Sequence, residues 1–478
     1  MSEGRVLPQS VDYTKILPLA VESRSRRRSF FPTNGQSFSS AANNIIRIDL
    51  SASAFLDTKH SYLRFRLTNN SGQTMGLDYG GGHGIIRRLR IEQAGTVLSD
   101  CNHYNKLLSA IILPSQVGVD GNAHRSLTEG QRFASDSAAG NSMLPAPAAE
   151  VSGAIVNTPA NGNLLIAAAG TYTFSIPLVN GLLGTTQDKM VPLQLLGSSP
   201  LTIEIELAPL LDIGSFAAAA PVAGTDYTID NVRYIAQLVE VGPEVDTQLR
   251  MVQEMSGGKL VLNGTDYTHF NGNIAANAQG NQVINVPARR KSLKSLFFVG
   301  ASTSYAAAGA GGAEHNFVYN LSYGGNFNMI DYQLKIGSVV YPPTPVDCQF
   351  QGAAVPFQRA EAVSELAKCW GTVSSAHGTG SLSTVNAYTT DCLVGGMTIP
   401  AAAGAAAPTL KFAPFGLDLE AFQRTAIESG INTASASLPI SLIINIGAAQ
   451  AEAINVDAYV SYDSLYYIDE TGSIRVSL

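Results

Sequence analysis

"RLRIEQAGTVLSD" (residues 88–100), followed by "NHYNKLLSAIIL" (102–113), decides the fold, because the same order of elements returns in the second half of the chain. The first stretch reads as strand, Gly-containing turn and strand; the second spaces Tyr104, Leu107, Leu108, Ile111 and Ile112 as one apolar helical stripe. In the second half "YQLKIGSVVYPP" (332–343) is again strand, turn and strand. "RAEAVSELAKCW" (359–370) is again a helix, with Val363, Leu366, Ala367 and Trp370 on its stripe.

Working outward, the neighbours match as well. "IIRIDL" and "SYLRFRLTN" (61–69) precede the first unit; "QVINVP" (282–287) and "SLKSLFFVG" (292–300) precede the second. A long Ala/Gly/Ser loop follows each helix, over 114–170 and 371–409. Closing the first half are "TYTFSIPL" (171–178), "PLTIEIEL" (200–207) and "VRYIAQLVEV" (232–241). "TLKFAPFGLDLE" (409–420), "SLPISLIINIG" (437–447) and "VDAYVSYDSLYYI" (456–468) close the second. Seven elements thus recur in one order at an offset of roughly 220–260 residues, the mark of an internal duplication.

The strands are short, β-branched or aromatic, and bounded by turn residues. In "SYLRFRL", Tyr62, Arg64 and Arg66 share one face, with Leu63, Phe65 and Leu67 on the other, as in a half-buried antiparallel strand. Each half is the size of one β-sandwich. The expected fold is therefore all-β: two tandem antiparallel jelly-roll sandwiches with short helices and long loops. The boundaries read as a basic N-terminal arm over 1–35, a first jelly roll over 36–243, a helical linker over 244–257 and a second jelly roll over 258–478. Val245, Leu249, Val252 and Met255 give the linker its helical spacing.

Composition narrows the function. Only 14% of residues are charged, against roughly a quarter in an average soluble protein, and 45% are apolar. So little charge predicts a surface of neutral loops or one covered by other copies. No apolar run reaches the length of a membrane-spanning helix, and the N-terminus lacks a signal-peptide pattern, so synthesis and use in the cytosol or nucleus are expected. Cys101, Cys348, Cys369 and Cys392 lie far apart without metal-ligand spacing and read as buried thiols.

Charge is uneven along the chain. Residues 1–35 carry six Lys/Arg against three acids, so the remainder bears a net −10 of the total −7. "SRSRRRSFFPTNG" (23–35) concentrates Arg24, Arg26, Arg27 and Arg28, an arm suited to phosphate or another anionic partner. The acidic body does not suit nucleic acid.

Catalysis finds little support. The seven histidines are scattered, and "HGTGS" (377–381) is not a nucleophile elbow. "DYGGGHG" (78–84) has the glycines of a phosphate loop without the following Lys-Ser/Thr, and reads as a close-packed turn. "DLEAFQRTAIESG" (418–430) lacks calcium-loop spacing and reads as a solvated or subunit-facing loop. Arg289, Arg290, Lys291 and Lys294 in "ARRKSLKSLFFVG" (288–300) read as a strand end paired with acidic neighbours, or as a patch facing an anionic interior. Glu204 and Glu206 share one strand face, the best available pair for a jelly-roll glycoside hydrolase. No catalytic, cofactor-binding or metal residue is assigned. An alternative, a carbohydrate-binding or adhesin-like β-sandwich, would want aromatics on the loops; Trp370 lies on the helix stripe instead.

Several phrases resemble double jelly-roll major capsid proteins of polinton-like viruses and related eukaryotic DNA viruses. They are "FFPTNGQSFSSAANNIIRIDLSASAFLDTKHSYLRFRL", "IIRRLRIEQAGTVLSDCNHYNKL", "VPARRKSLKSLFFVG", "YQLKIGSVVYPPTP", "LDLEAFQRTAIESGINTASASLPISL" and "DAYVSYDSLYYIDETGSIRVSL". The resemblance spans about residues 28–478 and rests on structural phrases, not catalytic motifs. It implies a homotrimer forming a pseudo-hexagonal tile of an icosahedral shell, located in the virion and assembled in the host cytoplasm or nucleus. Partners would be further copies, penton and minor capsid proteins, and the genome through the arm, with no cofactor and no enzymatic turnover. An internal membrane is left open. On that picture the two long loops face outward or between subunits.

Overall fold

A computed structural model describes residues 23–78, 80–113, 128–130, 165–184, 189–197, 199–215, 222, 224–303, 321, 324, 327–348, 360–370, 414–421, 429–435, 438–449 and 453–477. Residues 1–22 and most of the two long Ala/Gly/Ser loops lie outside this set.

Eight principal strands build the first half: β1 (Ser23–Phe30), β2 (Ile45–Leu50), β3 (Phe55–Asn69), β4 (Ile86–Gln93), β5 (Thr96–Asn102), β6 (Thr171–Ile176), β7 (Leu201–Leu207) and β8 (Tyr227–Val241). Eight more build the second: β9 (Lys259–Ile274), β10 (Gly280–Asn285), β11 (Leu293–Ser302), β12 (Met329–Ile336), β13 (Val339–Asp347), β14 (Phe415–Asp418), β15 (Ile440–Ile446) and β16 (Ile454–Asp469). A last strand, β17 (Ile474–Ser477), folds back on β16.

All these pairings are antiparallel. In the first half one sheet runs β1-β8-β3-β6 and the other β2-β7-β4-β5. The second half repeats this as β9-β16-β11-β14 and β10-β15-β12-β13. That strand order, in two facing sheets, is a jelly roll, and it occurs twice. Short pairs at Ser37–Phe38, Met75–Leu77, Leu165–Ile166, Val191–Pro192 and Gly214–Ser215 extend the first half.

Turn chemistry fixes the register where the duplication is clearest. Gln93 faces Thr96 across a two-residue turn whose central residues, Ala94 and Gly95, both have positive φ (50° and 80°). Such a turn matches the twist of the flanking strands. In the second copy Ile336 faces Val339, and Gly337 takes the positive φ of 61° at the first central position. Side-chain alternation then sets the faces. Leu63, Phe65 and Leu67 are buried while Tyr62, Arg64 and Arg66 are not, as the pattern predicts.

Three helices matter to the site: α1 (Tyr104–Lys106), α2 (Pro243–Met255) and α3 (Ala360–Cys369). The stretch expected to be one regular helix over 102–113 is instead the single turn α1 continuing as a wider π-type helix over Leu107–Ile112, buried throughout. Its residues are buried on every side, so no single 3.6-residue stripe governs the winding. "GGGHG" forms a buried 3₁₀ turn, Gly81–Ile85, as the close-packed reading expected. A Cβ on Gly82 would press within 3.1 Å of Phe174 and Ile176, so the glycine permits the packing.

The first jelly roll begins earlier than the sequence reading placed it. Residues 23–30, assigned to the arm, are its first strand, paired along their whole length from Ser23 opposite Val241 to Phe30 opposite Tyr234. β1 stands where β9 stands in the second half. Its six leading residues are exposed and only Phe30 is buried, so backbone hydrogen bonding, not an apolar face, holds it. Side-chain pattern carried no trace of that pairing.

The two jelly rolls share packing. One hydrophobic cluster joins the first sandwich interior to Leu262, Phe297, Val299, Tyr459, Tyr466 and Trp370 of the second half; a separate cluster fills the second sandwich. β16 lies between them. Val456, Ala458, Val460 and Tyr462 enter the second core, while Tyr459 packs toward the first jelly roll, so the strand is buried on both faces.

Candidate functional site

The most unusual chemistry among the described residues lies where the two jelly rolls meet. Lys106, at the end of α1, forms an ion pair with Asp457 of β16. His269 of β9 places Nε2 2.8 Å from the other oxygen of that carboxylate. Asn271 and Asn455 each direct an amide to Asp457 at 3.3 Å. His103 packs against His269 with ring centroids 4.6 Å apart and the planes tilted by 34°, and the Tyr459 hydroxyl donates to the His103 carbonyl at 3.0 Å. His103 itself sits in the left-handed region (φ 48°), which turns the chain from β5 into α1.

Solvent hardly reaches this cluster: the side chains of Lys106, His269 and Asp457 are 9%, 7% and 2% exposed. Burial pushes the Asp457 carboxyl up. The charge of Lys106, with the hydrogen bond and charge of His269, outweighs burial and holds it well below the ordinary carboxylate range. Burial, reinforced by the adjoining His269, pushes the His103 imidazole down to about 4. The His269–Asp457 pair has the distance of a catalytic dyad, but its carboxylate is already consumed by Lys106 and the site is closed to a substrate. It acts as a polar lock between the sandwiches.

Backbone contacts reinforce the lock. Gln93, in the β4–β5 turn, donates to the Gly472 carbonyl at 2.9 Å and accepts from the Ile474 N–H at 2.7 Å. Gly181 of the first jelly roll lies directly against Gly264 of β9, with no room for a Cβ on Gly264.

Sequence reasoning missed Lys106, His103, His269 and Asp457. The available signal was a lysine inside the apolar stretch "YNKLLSAII" and an aspartate inside "VDAYV"; a charge amid apolar neighbours is buried with a partner or not at all.

The arginines singled out in the sequence are spread over both faces of β1. Arg26 pairs with Glu240 at 2.7 Å. Arg27 donates to the Tyr62 hydroxyl at 2.9 Å, its guanidinium 5.8 Å from the ring centre, and the Arg28 guanidinium lies 4.8 Å from the centre of the Phe30 ring. Arg24 faces Glu240 across the strand pair. These residues are anchored to a sheet, so any anionic partner meets a fixed surface.

Other expectations resolve individually. Lys294 lies 3.3 Å from Glu420 and 3.4 Å from Asp463, Arg290 stacks 4.3 Å over Tyr462, and Lys291 donates to Ser477; of the four cations over 288–300, Lys294 has the expected acidic neighbours, and Arg289 is exposed. Glu420 accordingly serves Lys294 and Ser429, while residues 422–428 lie outside the described set. Glu204 is held by Arg47 at 2.7 Å and by Arg90 at 3.5 Å, and Glu206 by Arg87 at 3.7 Å. Two carboxylates each matched to arginine on one strand do not straddle a sugar ring, as glycoside hydrolysis requires. Trp370 is buried and stacks on Phe297 at 4.9 Å, unlike a glycan platform. Cys101 and Cys348 are buried and Cys369 partly so, all as free thiols; Cys392 lies outside the described residues, as do His124, His315 and His377. Among the described residues no group of three His, Cys, Asp or Glu forms a metal site, and no helix is long and apolar enough to cross a membrane.

No protein-family model and no curated protein matches the sequence. Solved structures do. PBCV-1 VP54, fitted into a cryo-EM reconstruction of the virophage Sputnik, superposes with a TM-score of 0.56 at 9% identity, covering 98% of this chain and 99% of that one. The Faustovirus major capsid protein gives 0.55 at 10% identity over 97% and 92%. The cryo-EM structure of the Sputnik virophage gives 0.55 at 10% over 100% and 93%. At such identities the likeness is one of fold, and it runs through both halves of the chain: this protein has the double jelly-roll architecture of those viral capsid proteins.

Proposed function

We propose that the chain is a major capsid protein whose three copies form a pseudo-hexagonal tile, and that tiles assemble into an icosahedral shell. The observation that carries this reading is the twice-repeated eight-strand topology, whole-chain in its likeness to capsid proteins. A charge-poor surface and a catalytically idle interior support it. Function then lies in assembly, without substrate or cofactor, and the place of the protein is the virion. Partners on this reading are other copies, penton and minor capsid proteins, and the genome. Arg24, Arg26, Arg27 and Arg28 contact an anionic neighbour from a fixed strand instead of a swinging arm.

Closed symmetry multiplies modest contacts, which suits a tile better than a lone binding module. The test is mass in solution, with negative-stain imaging. A species of about 150 kDa, three times the 50.3 kDa chain, or shell-like particles, is expected. A monomer at all concentrations that binds glycans would overturn the reading in favour of an adhesin-like protein.

A further inference from the structure

Helix α2 joins the two jelly rolls and yet scarcely packs on either. Pro243 stands in its first turn after an extended Gly242, so its start is well made. Its apolar stripe is not covered: Val245 and Leu249 are half-buried, and Val252 is 50% exposed. Of the α2 residues whose burial is described, Gln253 alone is buried, its amide donating to the Ile468 carbonyl at 3.3 Å. Thirteen residues make a helix that is marginal in water unless its apolar face is packed.

The stripe lines a groove of about 660 Å³, a size typical of binding clefts. Val239 and Val241 of β8 and Phe55 of β3 form another wall, on the side of the sheet away from the core that holds Leu238 and Leu56. Leu260 and Leu262 of β9 complete it, so both halves of the chain contribute. Lys189 and Lys259 are its charged lining residues among those described, and each has a neighbour of its own. Lys189 donates to the Val261 carbonyl at 3.1 Å, and the Lys259 ammonium lies 5.9 Å from the centre of the Tyr467 ring.

β1 begins at this groove. Ser23 lies opposite Val241 and Ser25 opposite Val239, and side chains directly opposed in an antiparallel pair share a face. Immediately before them the sequence reads "ILPLAV" (16–21), six residues with no charge and no polar side chain. A period of two carries Leu19 and Val21 to the face of Ser23 and Ser25, which is the groove side. Six extended residues reach about 20 Å, the length of a thirteen-residue helix at about 1.5 Å per residue. Pro18 lacks an N–H and suits a segment lying beyond the sheet edge.

We propose that residues 16–21 dock in the groove of their own chain, with Leu19 and Val21 against Val239, Val241 and the stripe Val245, Leu249 and Val252. Glu22 alone separates the segment from β1, so its local concentration is of order millimolar or more, above that of a second copy at micromolar concentration. The apolar segment leaves both lysines with their present neighbours, where an anionic amphiphile would compete for them. The N-terminus then straps the linker helix down and holds the hinge between the sandwiches. This docking is independent of the tile reading.

Hydrogen exchange of the α2 amides tests it. Removing residues 1–22 is expected to speed exchange over 247–255 at least tenfold while unfolding stays cooperative; removing residues 1–15 is expected to change nothing. Should the shorter chain fail to fold, L19D/V21D in the full chain serves, with the same acceleration expected. A photoreactive benzophenone side chain at position 19 is expected to label residues 239–262 of its own chain, at the 50.3 kDa mass of one copy. Labelling that appears at twice that mass overturns the proposal in favour of a neighbour's groove. Equal exchange in the full and the 1–22-deleted chains overturns it outright. So does exchange that ignores both deletions but slows when oleate is added, which would assign the groove to an amphiphile.

Discussion

Lys106 and Asp457 belong to different jelly rolls, 351 positions apart in sequence, and form an ion pair that solvent barely touches. The pair links one sandwich to the other and makes the relation between them a property of side-chain chemistry as well as apolar contact. A buried pair is costly to form and more costly to halve, because the remaining charge loses its partner without regaining water.

Lys106→Met is therefore expected to destabilise the protein by roughly 3–5 kcal/mol, measured by chemical denaturation. The double variant K106M/D457L should lose less than K106M alone, since no orphaned charge remains. Equal losses in the two variants would mean that the ion pair adds nothing beyond the space it fills.

Acid should weaken the fold in two stages. The His103 imidazole is pushed down to about 4 in the folded protein against an ordinary 6.5, so the unfolded chain takes up the proton first. Stability falls as pH drops between these values, with a slope of about one proton. Asp457 is depressed in the folded state; its stabilising contribution is complete above the ordinary 3.8 and drains away only below it. His103→Gln is expected to flatten the upper stage and leave the lower one. Urea midpoints measured from pH 7.5 down to about pH 2 read both.

Truncation separates arm from strand. Removing residues 1–22 is expected to leave the cooperative unfolding transition in place. Removing 1–30 strips β1, bares the hydrogen-bonding edge of β8 and exposes the surface under Phe30, so aggregation or loss of the transition should follow. Phe30→Ala alone is expected to cost roughly 3–5 kcal/mol, against less than about 1 kcal/mol for Arg26→Ala, whose ion pair is partly exposed. Similar losses for the two substitutions would contradict this account of the strand.

Gly264→Ala probes the contact between the sandwiches. The new methyl would run into the backbone of Gly181, which has no flexible end to move aside. A loss of roughly 1–3 kcal/mol is expected, with a lower unfolding midpoint in calorimetry.

Much of the fold was legible because strand period, turn residues and duplication are local signals. The alternation of "SYLRFRL" fixed which face of β3 enters the core. "EQAGT" marked a hairpin, and the repeated order of strand, hairpin and helix pointed to two sandwiches. The stripe on "SELAKCW" placed Trp370 against the core, where it stacks on Phe297.

The first strand and the junction were not legible, for two different reasons. "SRSRRRSF" has no apolar face, since an edge strand can be held by backbone bonds to β8 alone, and composition made it look like a tail. Lys106 and Asp457 carry no common motif; only the approach of two distant segments makes them partners. By itself the sequence determined the class of fold and its twofold repetition, through period and turn chemistry that each segment carries alone. Tertiary structure decided which edge the arginines occupy and which buried charges meet, because pairing across hundreds of residues is set by where the sheets come to rest.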